Sequence, residues 1–73
     1  MAWIKISTRE VLNVDTIKTI TIQQNRDGTC YIKFSLKDGD FTCSKRFERI
    51  EECLKLFNRI WCAVADTMSI DIS

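Results

Sequence analysis

The sequence predicts an α+β domain, a four-stranded antiparallel β-meander packed on one C-terminal amphipathic helix. The main observation is a change of hydrophobic period near Phe47: apolar residues alternate before it and recur every three to four residues after it. Glycine-containing turns separate the last three of the four alternating segments before the helix. With 73 residues, 45% of them hydrophobic and 29% charged, the chain has the size and composition of one soluble globular domain, which we place at residues 1–73.

The first part of the chain contains two predicted strands and the segment between them. A strand is predicted over about residues 2–7, where Ile4 and Ile6 face the core and alternate with outward-facing residues. Residues 9–13 are predicted to be a connection. The second strand covers about residues 18–24, which alternate again between isoleucines and polar residues.

The first turn signal predicts the pairing of the second and third strands. Residues 25–28 fit a type I turn with a left-handed Gly28, which makes a three-residue hairpin loop. That loop length sets Ile22 opposite Ile32 and keeps the apolar residues of both strands on one face. The third strand is therefore predicted over about residues 29–37.

The second turn signal is Asp38-Gly39, which favours a two-residue type I′ turn. A turn of that length sets Leu36 opposite Phe41 and places both side chains in the core. The fourth strand is therefore predicted over about residues 40–46.

One amphipathic helix is predicted over about residues 47–65, because apolar residues recur there at helical spacing. The tail, residues 67–73, alternates again and is a candidate fifth strand, paired either with its own sheet or with another chain. The predicted core stripe of the helix comprises Ile50, Cys53, Leu54, Phe57, Ile60, Trp61 and Val64.

Composition argues against several classes of function. The chain has 11 Lys and Arg against 10 Asp and Glu, a net charge of +1, so charge alone gives no general attraction to nucleic acid or membranes. It has no histidine and no spacing that matches a metal, nucleotide or nucleophile motif. Its carboxylates lie in predicted turns, on the helix surface or in the tail. We therefore expect no catalytic residues, no metal, no cofactor and no enzymatic activity.

The cysteines and the absence of targeting signals predict the compartment. Cys30, Cys43, Cys53 and Cys62 each lie within a predicted strand or helix, and none forms a C-x-x-C pair. Free cysteines of this kind behave as small buried hydrophobic residues. No signal peptide and no apolar run of about 18 residues is present. We expect a cytoplasmic protein with no membrane partner.

A binding surface is predicted on the sheet face that the helix leaves open, because one helix covers only one face. Such a face is compatible with a merely solvated surface, with a protein interface, or with stacking of single-stranded nucleic acid between cations. The predicted open-face residues are Trp3, Lys5, Thr19, Thr21, Gln23, Tyr31, Lys33, Ser35, Thr42, Ser44 and Arg46, and the candidate binding residues among them are Trp3, Lys5, Tyr31, Lys33 and Arg46.

A second candidate surface flanks the helix stripe at Leu56, Ile60 and Ala63, which either seal the core or form a helical dimer interface. From these surfaces we expect a small protein-interaction module, an adaptor, inhibitor or regulator that binds a protein partner or itself as a homodimer. Nucleic-acid or nucleotide binding on the basic and aromatic open face is the alternative function.

Overall fold

A computed structural model describes residues 2–73, in which two three-stranded sheets pack against one helix. The predicted α+β class, with an antiparallel sheet on a C-terminal helix, is confirmed. The sheets have the strand orders β2-β1-β6 and β3-β4-β5. The elements in chain order are β1 (Trp3–Ser7), β2 (Glu10–Asn13), a 3-10 helix (Val14–Thr16), β3 (Ile17–Gln24), β4 (Cys30–Leu36), β5 (Phe41–Cys43), α1 (Ile50–Ala65) and β6 (Ile70–Asp71).

The first sheet, β2-β1-β6, differs from the predicted meander. Most of the segment predicted as a connection forms β2, which pairs antiparallel with β1 and sets Leu12 opposite Ile4 in the core. The tail does form a strand, and it pairs in parallel with β1 of its own chain. The N–H of Ile72 extends this pairing by donating to the carbonyl of Lys5 at 2.9 Å. β1 therefore has neighbours on both sides and does not join the second sheet.

The β3–β4 hairpin of the second sheet has the predicted register. The loop is closed by the N–H of Asn25, which donates to the carbonyl of Thr29 at 2.7 Å. Gly28 takes the left-handed conformation, with φ +91°. Ile22 lies opposite Ile32 as predicted, so the inward faces of both strands are apolar.

The β4–β5 hairpin corrects the predicted two-residue turn. The N–H of Leu36 donates to the carbonyl of Asp40 at 2.8 Å, so the loop holds three residues and again ends on a left-handed glycine, Gly39 (φ +96°). Phe41 consequently lies opposite Ser35 rather than Leu36. A shift of one residue exchanges the faces of the strand, and Phe41 is 62% exposed.

An aspartate side chain stabilises each of these two turns by accepting hydrogen bonds. The carboxylate of Asp27 accepts hydrogen bonds from the hydroxyl of Thr29 at 2.6 Å and from its N–H at 3.0 Å. Both bonds favour the ionised form, so they lower the pKa of Asp27 below its usual value. The carboxylate of Asp38 accepts in the same way from the N–H of Asp40 at 2.9 Å. Similar local chemistry thus produces three-residue loops in both hairpins.

The changed register places two hydroxyls on the inner side of β5 and its extension, where each has a polar partner. Thr42 donates to the carboxylate of Glu10 in β2 at 2.7 Å, which links the two sheets. The buried hydroxyl of Ser44 accepts from the N–H of Ile32 at 2.9 Å and donates to the carbonyl of Lys45 at 2.9 Å. Thr42 and Ser44 therefore do not belong to the open face on which they were predicted.

The fourth predicted strand is interrupted before its end. β5 stops at Cys43, and Phe47 then pairs with Cys30 through two backbone hydrogen bonds of 2.7 and 2.9 Å. One extra residue is accommodated between these pairings, so the chain bulges at Lys45 and Arg46, and both side chains are exposed. Because Phe47 belongs to this pairing, the helix begins three residues later than predicted, at Ile50.

The core strip of α1 is displaced around the helix from the predicted one. Cys53, Leu56 and Ile60 are its buried residues, whereas Leu54 and Trp61 are 47% and 63% exposed. The reason is the first sheet, which also packs against this helix and turns the Leu56 side inward. The buried apolar residues of the joint core are Ile4, Ile6, Leu12, Cys30, Ile32, Phe34, Cys53, Leu56, Ile60 and Ile72.

Replacing the buried hydroxyl of Ser44 tests the observed register of β5. In Ser44→Ala the N–H of Ile32 loses its acceptor inside the protein, which should lower the free energy of unfolding by about 1–3 kcal/mol. Ser35→Ala is the matched control, because Ser35 lies half-buried on the other side of the sheet, and it should change stability by less than about 0.5 kcal/mol. Urea unfolding measures both, and equal effects would contradict this register.

Candidate functional site

The structure divides the predicted open face between two sheets. Trp3 and Lys5 lie on β1 in the first sheet, whereas Tyr31 and Lys33 lie on β4 in the second, with Arg46 in the bulge that follows β5. Trp3 is 43% exposed, so its side chain does not enter the core. The five residues therefore do not form one continuous sheet surface.

The second predicted surface also changes. Leu56 and Ile60 are buried in the core and Ala63 is half-buried, so the first two cannot present a free apolar interface. The large exposed apolar residues of α1 are instead Leu54 and Trp61. They are seven residues apart, about two helical turns, and so lie on the same side of the helix. We call this pair the helix ridge.

A groove runs between β3 and the C-terminal half of α1, and Trp61 of the helix ridge forms part of its wall. Its volume is about 350 Å³. The lining is almost entirely apolar and contains a single charged residue, Lys18. The lining residues are Val14, Ile17, Lys18, Thr19, Ile20, Phe57, Ile60, Trp61 and Val64.

β3, which borders this groove, is an edge strand with unpaired backbone groups. Its eight residues make it the longest strand within residues 2–73, where it pairs only with β4. In an antiparallel pair, every second residue of a strand forms hydrogen bonds to its neighbour. Asn25 forms the bond that closes the hairpin, so Gln23 and Thr21 are the next residues of β3 that bond to β4. The N–H and C=O groups of Ile20 and Ile22 consequently point away from the sheet.

This edge carries few of the features that usually keep sheet edges apart. Proteins protect such edges with charges, prolines, bulges or very short strands. In β3 the only charged residue is Lys18, and the only irregularity of pairing lies between Ile17 and Thr19, both at the start of the strand. Residues 20–24 have neither. A long edge without protection is either an interaction site or an aggregation hazard.

The part of the chain that the structure describes contains neither a metal-binding cluster nor a membrane-spanning helix. Within residues 2–73, no three Cys, Asp or Glu side chains are close enough together to hold a metal ion. In the same part of the chain, no helix combines the length and the apolar character needed to cross a bilayer. The chain matches no protein-family profile, no curated protein and no solved structure.

Sequence reasoning missed both parts of this surface, although each left a signal. Leu54 and Trp61 are seven residues apart, and including both made the predicted apolar stripe of the helix wider than packing against one sheet requires. The segment of residues 20–24 has no charge to protect it. Neither signal is decisive alone. A wide apolar stripe is also found on a helix that its own chain covers, and an uncharged segment is also found in a strand that has neighbours on both sides.

Thiol labelling of the native protein tests these placements through the four cysteines. Cys62 is exposed and Cys43 is half-buried on the second sheet, whereas Cys30 and Cys53 are fully buried. Burial also raises the pKa of the Cys53 thiol, which leaves less of the reactive thiolate. An aromatic disulfide reagent should modify Cys62 first, Cys43 more slowly, and the other two only with unfolding. Early modification of Cys30 or Cys53, identified by mass spectrometry, would contradict the described core.

Proposed function

We propose that this chain is a small non-enzymatic protein-interaction module that acts as a homodimer joined along the edge of β3. The observation that carries the proposal is that unpaired backbone groups of β3 lie beside the apolar groove and the helix ridge. One surface thus offers both hydrogen-bonding groups and apolar side chains to a second chain. Addition of a strand to such an edge is a common mode of protein recognition.

A second copy of β3 fits this edge because antiparallel pairing of one strand with itself is self-complementary. A two-fold axis at Thr21 sets Ile20 of each copy opposite Ile22 of the other. Each of these two pairs exchanges two backbone hydrogen bonds, so the outward groups of both residues are satisfied. In the same register Lys18 faces Gln24 of the second copy. The one charge of the strand therefore meets no like charge.

The position of the helix agrees with this arrangement. A two-fold axis perpendicular to the sheet places both helices on the same side of a continuous six-stranded sheet. Because α1 packs on β3 and β4, the two helix axes would lie roughly 10 Å apart, two strand spacings of about 4.8 Å. Helices in proteins pack at about 8–10 Å. The exposed Leu54 and Trp61 of the two copies would then cover each other at the seam.

The proposed compartment is the cytoplasm, and the support for it is cysteine chemistry. All four cysteines are free, including the exposed Cys62. Disulfides are typical of small proteins in oxidising compartments, whereas free thiols persist in the reducing cytosol. A cytoplasmic homodimer of this size would serve as an adaptor, inhibitor or regulator that acts through contacts rather than through a reaction.

The matched substitutions Trp61→Glu and Trp3→Glu test the dimer. Both tryptophans are exposed, but only Trp61 lies at the proposed seam. Light scattering across a wide concentration range should show a dimer for the unmodified protein. Trp61→Glu should weaken self-association by about 2 kcal/mol or more, roughly 30-fold in Kd, because a buried aromatic anchor is replaced by a charge. Trp3→Glu should leave the Kd unchanged.

Circular dichroism of both variants verifies that each remains folded, as expected for changes at exposed positions. A protein that stays monomeric at millimolar concentration would refute the homodimer. If Trp61→Glu and Trp3→Glu weakened self-association equally, the chain would associate through nonspecific hydrophobic contacts or through another surface, and the β3 seam would be wrong.

Hydrogen exchange tests the seam without any substitution. In the monomer the amides of Ile20 and Ile22 point to solvent and should exchange quickly, whereas those of Thr21 and Gln23 are protected by β4. Raising the protein concentration should slow exchange at Ile20 and Ile22, and also at Gln24, whose N–H likewise points away from β4 and would face Lys18 of the second copy. Exchange at Thr21 and Gln23 should not change. The outer edge of β5 provides an internal control, because the amide of Cys43 should exchange quickly at every concentration. Protection that rises at β5 instead would assign the interface to the other edge.

A further inference from the structure

We propose that the second sheet binds single-stranded nucleic acid on its outer face, the side of β3-β4-β5 that points away from α1. This is a function beyond self-association, and it rests on different residues. The observed register of β5 supports this function, because Phe41 and Cys43 lie on this face where Thr42 and Ser44 were predicted. The face thereby gains a second aromatic ring.

The two rings provide surfaces on which bases can stack. Tyr31 is half-buried on the central strand β4, whereas Phe41 is 62% exposed on β5 opposite Ser35. Both point to the same side, and four residues of strand, roughly 13 Å, separate them along the sheet. They would therefore contact different bases of one strand. The exposed ring of Phe41 is available for stacking on a base.

The charges of the face complement a polyanion. Lys33 lies on β4 between Tyr31 and the position opposite Phe41, and its ammonium is 4.6 Å from the centre of the Phe41 ring. The exposed Arg46 follows at the Tyr31 end, where it also interacts electrostatically with the carboxylate of Asp27. None of the outward-facing strand positions of the described sheet carries an acid; the others hold hydroxyl, amide or thiol side chains. A cation against a ring can contact a phosphate while the ring holds the adjoining base.

A shallow cavity marks one end of this path. It has a volume of about 280 Å³ and is lined by Asn25, Tyr31, Cys43, Ser44 and Arg46. The side-chain NH2 of Asn25 donates to the hydroxyl of Thr29 at 3.0 Å. Tyr31 and Arg46 bring an aromatic ring and a guanidinium group to this cavity, and such groups recognise an unstacked base and its phosphate. A duplex hides its bases from such a surface. The chemistry therefore favours single strands over duplexes, with little dependence on base sequence.

The outer face and the dimer seam lie on different parts of the molecule. The helix ridge is on the opposite side of the second sheet, so Trp61→Glu splits the proposed dimer without altering Tyr31, Lys33 or Phe41. In the dimer the two outer faces form one continuous surface, and one strand can cross both. A long oligonucleotide should therefore bind the dimer more tightly than a short one, and Trp61→Glu should abolish this length dependence while each face still binds.

Fluorescence anisotropy with a labelled oligothymidylate of about 12 nucleotides is the direct test. We expect binding at low salt that weakens as salt rises, and a logarithmic salt slope that falls by roughly 0.7 in Lys33→Gln. Phe41→Ala should weaken binding roughly ten-fold, and Phe41→Trp should restore or strengthen it. Lys55→Gln and Trp3→Ala are the matched controls, a charge and an aromatic ring outside this face, and both should leave the affinity unchanged.

Three results would overturn the proposal. The first is the absence of binding at low salt up to about 100 μM protein, the weak end of non-specific affinities. The second is an equal loss in Lys55→Gln and Lys33→Gln, which would indicate general attraction by charge. The third is equal binding of duplex and single strand with no effect of Phe41→Ala. Because Phe41 is exposed, its loss should not unfold the domain, and circular dichroism verifies this. Failure here would leave the light-scattering result for the dimer unaffected.

Discussion

The structure depends on the buried strip of α1, because both sheets need the same apolar surface. A small sheet is not stable by itself and must pack an apolar face on another element. Cys53, Leu56 and Ile60 provide that surface for the second sheet and for the first, whose Ile4 and Ile72 join the same core. A helix shared in this way is oriented by the two sheets together, which explains why Leu56 is inside and Trp61 is outside.

The free surfaces of the protein follow from the same constraint. Once the helix is turned toward the first sheet, its opposite flank is left beside β3 without cover, and the groove forms there. The outward sides of the sheets remain open because the helix occupies only their inner sides. The β3 side offers free backbone groups and apolar side chains, whereas the outer face of the second sheet offers rings and cations. These different chemistries underlie the two proposed partners, a second copy of the chain and a single-stranded nucleic acid.

Local signals in the sequence were sufficient where one geometry satisfied both the turn and the pattern of burial. The loop at residues 25–28 is such a case, since only a three-residue loop keeps Ile22 and Ile32 on one face. At Asp38-Gly39 the pattern favoured a two-residue turn that would bury Phe41, and the structure has the longer loop. Its register is stabilised by Thr42, through its bond to β2, a contact with no trace in local sequence.

The candidate binding residues were likewise predicted correctly in one respect and wrongly in another. The sequence identified Trp3, Tyr31, Lys33 and Arg46 as outward-facing but grouped them on one sheet, because alternation reports which side a residue faces and not which strands are neighbours. By itself the sequence determined the α+β class, the first hairpin and the presence of one amphipathic helix, since these depend on periodicity and turn chemistry. Only the tertiary structure decided the two sheets, the parallel tail strand and the rotation of the helix, because these depend on contacts between segments far apart in the chain.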